Sequence, residues 1–311
     1  MRIGVIATSS PLGKLELQAG VDRMTRAGFD VVVHPNVLAR HYVNAGTDEQ
    51  RASSLVEYAY DDSIDAIWCA RGGYGAARTV GVVDAMTKSR PPPKQKMLIG
   101  YSDVTFLHEY VRQRWGWQTL HAPMVVASPG TPDEQWAAAY AIVRGERPAL
   151  GYEKSCLRWL GPAPAKDIAA EVIGGNLSLW VSLAGAPWQP QHRGKILFFE
   201  DISEKLYRLD RMVVQLEQAG MIEGAAAIVL GDFTNCDDES PTVFGDDGVS
   251  RVLTRPVLTL EEGLRETFGR VAKKFGIPLA VGLPVGHGPS YWPLRLGVEH
   301  RLTGDGALIP V

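Results

Sequence analysis

An α/β architecture in two units, the first built on a mainly parallel sheet with helices on both faces, is what this sequence predicts. Three observations carry that expectation. Short continuous apolar runs alternate with amphipathic stretches through the first half, and strands that are apolar on both faces belong inside covered parallel sheets. The chain has 311 residues, more than a single hydrophobic core usually organises. Near its middle, residues 144–166 break into glycine, proline and isolated charges (Gly145, Pro148, Gly151, Gly161, Pro162, Pro164), the composition of a boundary. The expected division is a first domain over 1–146, a linker over 147–166 and a mixed α/β second domain over 167–311.

The elements follow in order. The run Arg2-Ile3-Gly4-Val5-Ile6-Ala7 reads as a buried strand over 2–8, stopped by Ser9-Ser10. Helical apolar spacing over 15–27 leads to a strand at 29–34, a helix near 48–61 and a strand at 66–70. A helix at 76–86, a strand at 97–100 and a helix from about 103 to 115 continue the alternation. Beyond the boundary come a strand at 169–173, a helix from Asn176, a strongly apolar strand at 195–199 and a helix at 206–219. A strand at 225–230, an acidic loop, a helix ending near Phe275 and short strands over 278–311 close the chain.

Composition narrows the function. With 45% hydrophobic and 22% charged residues the chain is globular, and a net charge of -3 leaves no electrostatic footprint for nucleic acid or an anionic membrane. No apolar run approaches the length of a bilayer span. Cys69, Cys156 and Cys236 form no CxxC pair and are odd in number, which argues against a disulfide framework or structural zinc. The opening apolar run is too short for a signal segment, so a cytoplasmic protein is expected. No HExxH is present, and Asp237-Asp238-Glu239 and Asp246-Asp247 lack the EF-hand order, so they read as solvated loop and no metal is expected.

Ligands of open parallel sheets collect outside the carboxyl ends of strands. Two such ends carry unusual sequence. Arg71-Gly72-Gly73-Tyr74-Gly75 is a glycine-rich turn feeding a helix, able to present backbone N–H groups to an anion, but it has neither a P-loop GK[ST] nor the GxGxxG spacing. Gly100-Tyr101-Ser102-Asp103 puts a serine on a sharp strand-to-helix turn; the same residues also read as a simple helix N-cap. A nucleophilic serine needs a base. Of seven histidines His287 stands out, in Pro284-Val285-Gly286-His287-Gly288, where the flanking glycines let the backbone approach a cleft. His34, His41 and His108 read as structural, and His121 as a candidate pocket residue. Glu200 ends the apolar strand Ile196-Leu197-Phe198-Phe199, and an acid there must be paired; Asp201 is its rival, one of the two serving as a helix cap.

Together these blocks, with Ile173-Gly174-Gly175-Asn176-Leu177, Tyr207-Arg208 and Arg211, resemble the LD-carboxypeptidases, serine peptidases acting on muropeptides, over nearly the whole chain. The resemblance implies a Ser-His-Glu triad: Ser102 as nucleophile from the first domain, His287 as base and Glu200 as orienting acid from the second, with the site at their interface. It implies oxyanion donors at the amides of Asp103 and Gly73, with Gly72 the alternative to Gly73. It also implies no metal or other cofactor, a cytoplasmic homodimer, and release of D-alanine from a murein tetrapeptide or UDP-linked muropeptide during peptidoglycan recycling. Arg71 or Arg208 would hold the substrate carboxylate by paired hydrogen bonds, and Asn176 would touch the peptide.

Three other readings stand beside this one. A microcin-immunity peptidase would cleave aminoacyl nucleotides with the same triad. A two-lobed binding protein would use the cleft without chemistry, and a nucleotide-dependent enzyme would use the glycine turn.

Overall fold

The computed structural model describes residues 1–126, 130–237, 243–244, 250–251 and 258–311; Asp238, Glu239, Asp246 and Asp247, read above as solvated, lie outside them. The first half runs β1 (Arg2–Ile6), α1 (Lys14–Arg26), β2 (Asp30–Val33), α2 (Asp48–Tyr60), β3 (Ala66–Cys69), α3 (Ala76–Thr87), β4 (Met97–Gly100), α4 (Thr105–Trp115), β5 (Thr119–His121) and α5 (Asp133–Val143). The second runs β6 (Arg158–Trp159), β7 (Ile168–Asn176), α6 (Leu177–Val181), β8 (Ile196–Ile202), α7 (Leu206–Gln218), β9 (Ala227–Thr234), β10 (Val243–Phe244), β11 (Ser250–Arg251) and α8 (Leu260–Phe275). It ends with β12 (Leu279–Val281), β13 (Leu294–Leu296), β14 (Val298–Leu302) and β15 (Leu308–Pro310).

Two main sheets result, and the mixed α/β class expected from the alternation is the one observed. The first has the order β13-β5-β4-β3-β1-β2, with β1 to β5 parallel and β13 antiparallel at the edge. β3 is buried at every position and β1 and β4 at all but their first residue, as continuous apolar strands demand. The second sheet has the order β15-β14-β7-β8-β9-β12-β6; β7, β8, β9 and β12 are parallel, and the outer strands are antiparallel. Two of the helices start on side-chain caps that their sequence provides. Thr47 and Gln50 form a capping box on α2, and Thr259 and Glu262 another on α8.

Residues 147–166 are not a bare tether. Apolar side chains lie among the glycines and prolines, so Leu150, Tyr152, Leu157 and Leu160 are buried, and β6 hydrogen-bonds to β12. The chain crosses back to the first sheet at β13, which pairs with β5. One apolar cluster runs through both halves, taking Leu107, Val111 and Trp117 from the first and Ile173, Leu177 and Trp180 from the second. The sheets therefore share a packed interface.

β7 extends three residues past its expected end. Gly174 and Gly175 look like a turn in sequence, yet they pair in parallel register with Phe198 and Phe199. At Gly174 a Cβ would lie 1.9 Å from the Phe198 carbonyl oxygen, and φ is +132°, so the strand continues only because no side chain is there.

Candidate active site

The site is built from the carboxyl ends of β4 and β8. β4 stops at Gly100, Tyr101 turns the chain, and a single 3₁₀ turn over Ser102–Val104 leads into α4. Ser102 is held at φ +61°, a left-handed conformation that costs a non-glycine residue about 1 kcal/mol. Such strain collects where geometry serves function. It aims Ser102 away from the regular path of strand or helix and leaves it only partly buried. Asp103 pins the turn from below: its fully buried carboxylate accepts the Ala76 N–H at 2.8 Å, at the start of α3, and a hydrogen bond from Ser9. Burial pushes the Asp103 carboxyl up to about 6, against those hydrogen bonds, which favour the anion.

The glycine turn after β3 lies against this serine. A Cβ on Gly72 would sit 3.1 Å from Ser102 Cβ and 3.3 Å from its Oγ. The turn is fastened to the loop after β1, where Ser10 N–H donates to Gly72 O and Tyr74 N–H donates to Ser10 Oγ. Gly72 is buried and Gly73 exposed. Because β1 lies between β2 and β3, this is also where the strand order reverses, the usual ligand position in an open α/β sheet.

From the second sheet, Glu200 and His287 meet directly. His287 Nδ1 lies 2.6 Å from Glu200 Oε2, with Glu200 wholly buried and the His287 side chain 11% exposed. A shift in register between β8 and β9, spanning Phe199 to Asp201, accompanies the divergence of the two neighbouring acids. Glu200 faces His287. Asp201 accepts from Asn176 Nδ2, Ser178 N and Ile202 N, so it is Asp201 that supports a helix start, that of α6 rather than of the next helix in sequence.

Burial alone would push the Glu200 carboxyl up, but the positive charge and hydrogen bonding of His287, with His121 beyond, hold it down at about 2. For His287 burial would lower the imidazole; the charge and hydrogen bond of Glu200, with Asp201 and Asp232 further off, outweigh that and raise it above its ordinary 6.5. Each group therefore stabilises the ionised form of the other.

The two sheets are locked together at the same place. Asn176 N–H donates to Thr105 Oγ1 at 3.1 Å, tying the end of β7 to the start of α4. In β-register Asn176 stands beside Glu200. The Tyr101 ring packs 4.8 Å from the His287 ring, so the residue before Ser102 touches the histidine from the other half. Gly286 makes the approach of His287 feasible: at φ +137°, a Cβ there would lie 2.9 Å from Glu200 Cβ.

The remaining candidates are placed as follows. Asn176 is buried, and its side chain is engaged within the fold, accepting from Leu179 N and Ser178 Oγ and donating to Asp201. Arg71 is exposed on the glycine turn, donating to Pro11 O at 3.3 Å. Arg208, in the first turn of α7, is half exposed and pairs with Glu204 at 3.5 Å. His34 bonds Glu57 and the Asn36 N–H, and His108 Nε2 bonds Gly100 O, both as framework residues.

Sequence reasoning did not find Tyr101 or Asp232. Asp232 lies on β9, accepts the Gly288 N–H and is pushed up to about 6 by burial and by Glu200 nearby. Its position in a run reading Leu230-Gly231-Asp232-Phe233 carries a weak signal, an acid at a strand end, of the kind that singled out Glu200.

A strained serine turn on one sheet and a buried Glu–His pair on the other, joined by Tyr101, describe an α/β enzyme with the parts of a serine hydrolase. Comparison with known proteins specifies the family. The model of the LD-carboxypeptidase N-terminal domain matches residues 3–122 and that of the C-terminal domain matches 169–302, so the chain belongs to the LD-carboxypeptidase family of serine peptidases. A probable murein peptide carboxypeptidase of Bacillus subtilis is 36% identical over 237 residues, covering 75% of this chain and 72% of the relative. The murein tetrapeptide carboxypeptidase of Pseudomonas aeruginosa is 30% identical, covering 94% and 90%. Among solved structures, the muramoyltetrapeptide carboxypeptidase of Oxalobacter formigenes superposes with a TM-score of 0.74 at 24% identity, covering 100% of this chain and 97% of that one. MccF in complex with glutamyl sulfamoyl guanosine gives 0.78 at 22%, covering 100% and 95%. At these identities the two structures speak for the fold. Among the described residues no helix is long and apolar enough to cross a membrane.

Proposed function

We propose that this enzyme releases the terminal D-alanine from murein tetrapeptides, free or carried on a UDP-linked muropeptide, through an acyl-enzyme on Ser102. The observation that carries the reading is the buried Glu200–His287 contact closing onto the Tyr101–Ser102 turn of the other sheet. Since Nδ1 of His287 faces Glu200, Nε2 is the nitrogen that takes the proton from Ser102 Oγ as it attacks the carbonyl before D-alanine. The amides of Asp103 and Gly73 receive the oxyanion. His287 then gives its proton to the leaving amine, and water, deprotonated by the same nitrogen, frees the tripeptide. Asp103 has its carboxylate anchored to α3, which leaves its amide as its contribution to the reaction. Arg71, exposed on the glycine turn whose Gly72 lies against Ser102, takes the substrate carboxylate in this reading, with Arg208 of α7 as the alternative. A cytoplasmic homodimer acting in peptidoglycan recycling completes the proposal.

Mass spectrometry of a murein tetrapeptide before and after incubation tests it, the expected result being loss of one alanine. An unchanged tetrapeptide, with hydrolysis of an aminoacyl sulfamoyl nucleotide instead, would transfer the site to the self-immunity reading.

The pH profile follows from the raised imidazole. A general base works neutral, so kcat/KM should fall toward acid with its midpoint above 6.5, because Glu200 favours the imidazolium. A rate flat from pH 5 to 8 would rule out His287 as the base.

A further inference from the structure

Glu200 lies between two imidazoles, and the mechanism above uses one. Its Oε2 takes His287; its Oε1 lies 3.8 Å from Nε2 of His121, beyond a direct hydrogen bond. Among the described residues, Oε1 and both ring nitrogens of His121 are buried without a hydrogen-bond partner. His121 is 1% exposed and Glu200 0%, so bulk water does not reach either. Two unpaired polar atoms of complementary kind, facing each other in a buried site, satisfy one another by closing about 1 Å.

The ring of His121 is held for that contact. It packs edge-on against Phe198 at 5.3 Å, two residues before Glu200 on the same strand, and against Tyr101 at 5.6 Å, the ring that also packs on His287. Its backbone is set in β5, in register with Gly100 of β4 and Leu294 of β13. His121 belongs to the first sheet and Glu200 to the second, so their contact spans the interface.

We propose that His121 is a positioning residue for the peptidase reaction: its Nε2–H donates to Glu200 Oε1 and fixes the rotation of the carboxylate that orients His287. The inference rests on the Ser102–His287–Glu200 reading. Other titratable groups around the pair are Asp201 on the same strand, Asp232 on β9, Tyr101 beyond β4, Tyr291 packed on Tyr101, and His108 on α4. All of them are kept in every variant below.

Three variants test it, each with a full pH profile: His121→Leu, His121→Gln and His121→Asn. Glutamine carries an N–H at about the reach of Nε2, and asparagine falls short. Leucine and asparagine should lower kcat about 10–100-fold with KM within about twofold. Their acid limb should move to higher pH, because a carboxylate without its second donor presents more negative charge to His287. Glutamine should restore most of the rate and return the limb toward wild type. Glutamine and asparagine behaving alike, or an acid limb unmoved in both, would overturn the proposal even if leucine prevents folding. If Ser102→Ala is inactive while these variants match wild type, His121 alone is misassigned. If Ser102→Ala is active, the parent reading fails first.

Discussion

Replacing Ser102 with alanine is expected to lower D-alanine release by at least about 10³-fold while leaving the fold intact. The substitution deletes one partly exposed oxygen and no buried packing, and alanine bears the left-handed backbone at Ser102, φ +61°, about as poorly as serine does. Thermal unfolding of Ser102→Ala should therefore stay within a few degrees of wild type. Ser102→Gly sharpens the test. Glycine removes both the nucleophile and the strain, so it should be as inactive as alanine and at least as stable, by roughly 0.5–1 kcal/mol. If Ser102→Ala keeps more than a few per cent of the wild-type rate against a murein tetrapeptide, the acyl-enzyme assignment is wrong.

Residues that break a local sequence rule were the legible part of the candidate site. Ser102 follows a glycine at a strand end, His287 sits between two glycines, and Glu200 closes an apolar strand; each breaks a local rule that an ordinary loop or strand keeps. Partners that depend on which strand lies beside which were not legible. Tyr101 looks like one more aromatic at a turn until β4 and β8 converge and its ring meets both His121 and His287. That Glu200 meets His287 while Asp201 meets the start of α6 goes with a register shift between β8 and β9, which the string of acids does not reveal. Asn176 reads in sequence as a residue touching the peptide; the structure adds that its side chain caps α6 and bonds Asp201, a local use of asparagine common at helix starts that the sequence does not announce.

At the level of the fold, the parallel sheets were readable because their strands are apolar on both faces. β6 and β13, of two and three residues, have too little sequence to show a period, and they are the strands that turn the Gly/Pro stretch into packed chain and carry the second half back to the first sheet.

Changing Glu200 to glutamine is expected to cost about 10³–10⁴ in kcat with little change in KM, the scale seen when the orienting acid of a serine triad is made neutral. Glutamine fills the same volume and can still accept the Nδ1 proton of His287, so geometry is largely kept while the charge is lost. The pH profile should then invert its displacement. With Glu200 ionised the imidazole lies above 6.5; with glutamine, burial of the ring is opposed by the more distant Asp201 and Asp232, and the acid limb should move to lower pH than in wild type. Stability gives an independent reading of the same pair. Glu200 is depressed from 4.5 to about 2, so its contribution is present above about pH 4.5 and is lost as pH falls through 2. His287 is raised, so its contribution is present below 6.5 and is lost as pH rises through its folded value. Both terms are in force together between about pH 4.5 and 6.5. The gap in Tm between wild type and Glu200→Gln should therefore be widest near pH 5.5 and narrow by pH 8.5. A gap independent of pH, with an acid limb that does not move, would mean that Glu200 and His287 are neighbours without electrostatic coupling, and the role of Glu200 as the orienting acid would have to be abandoned.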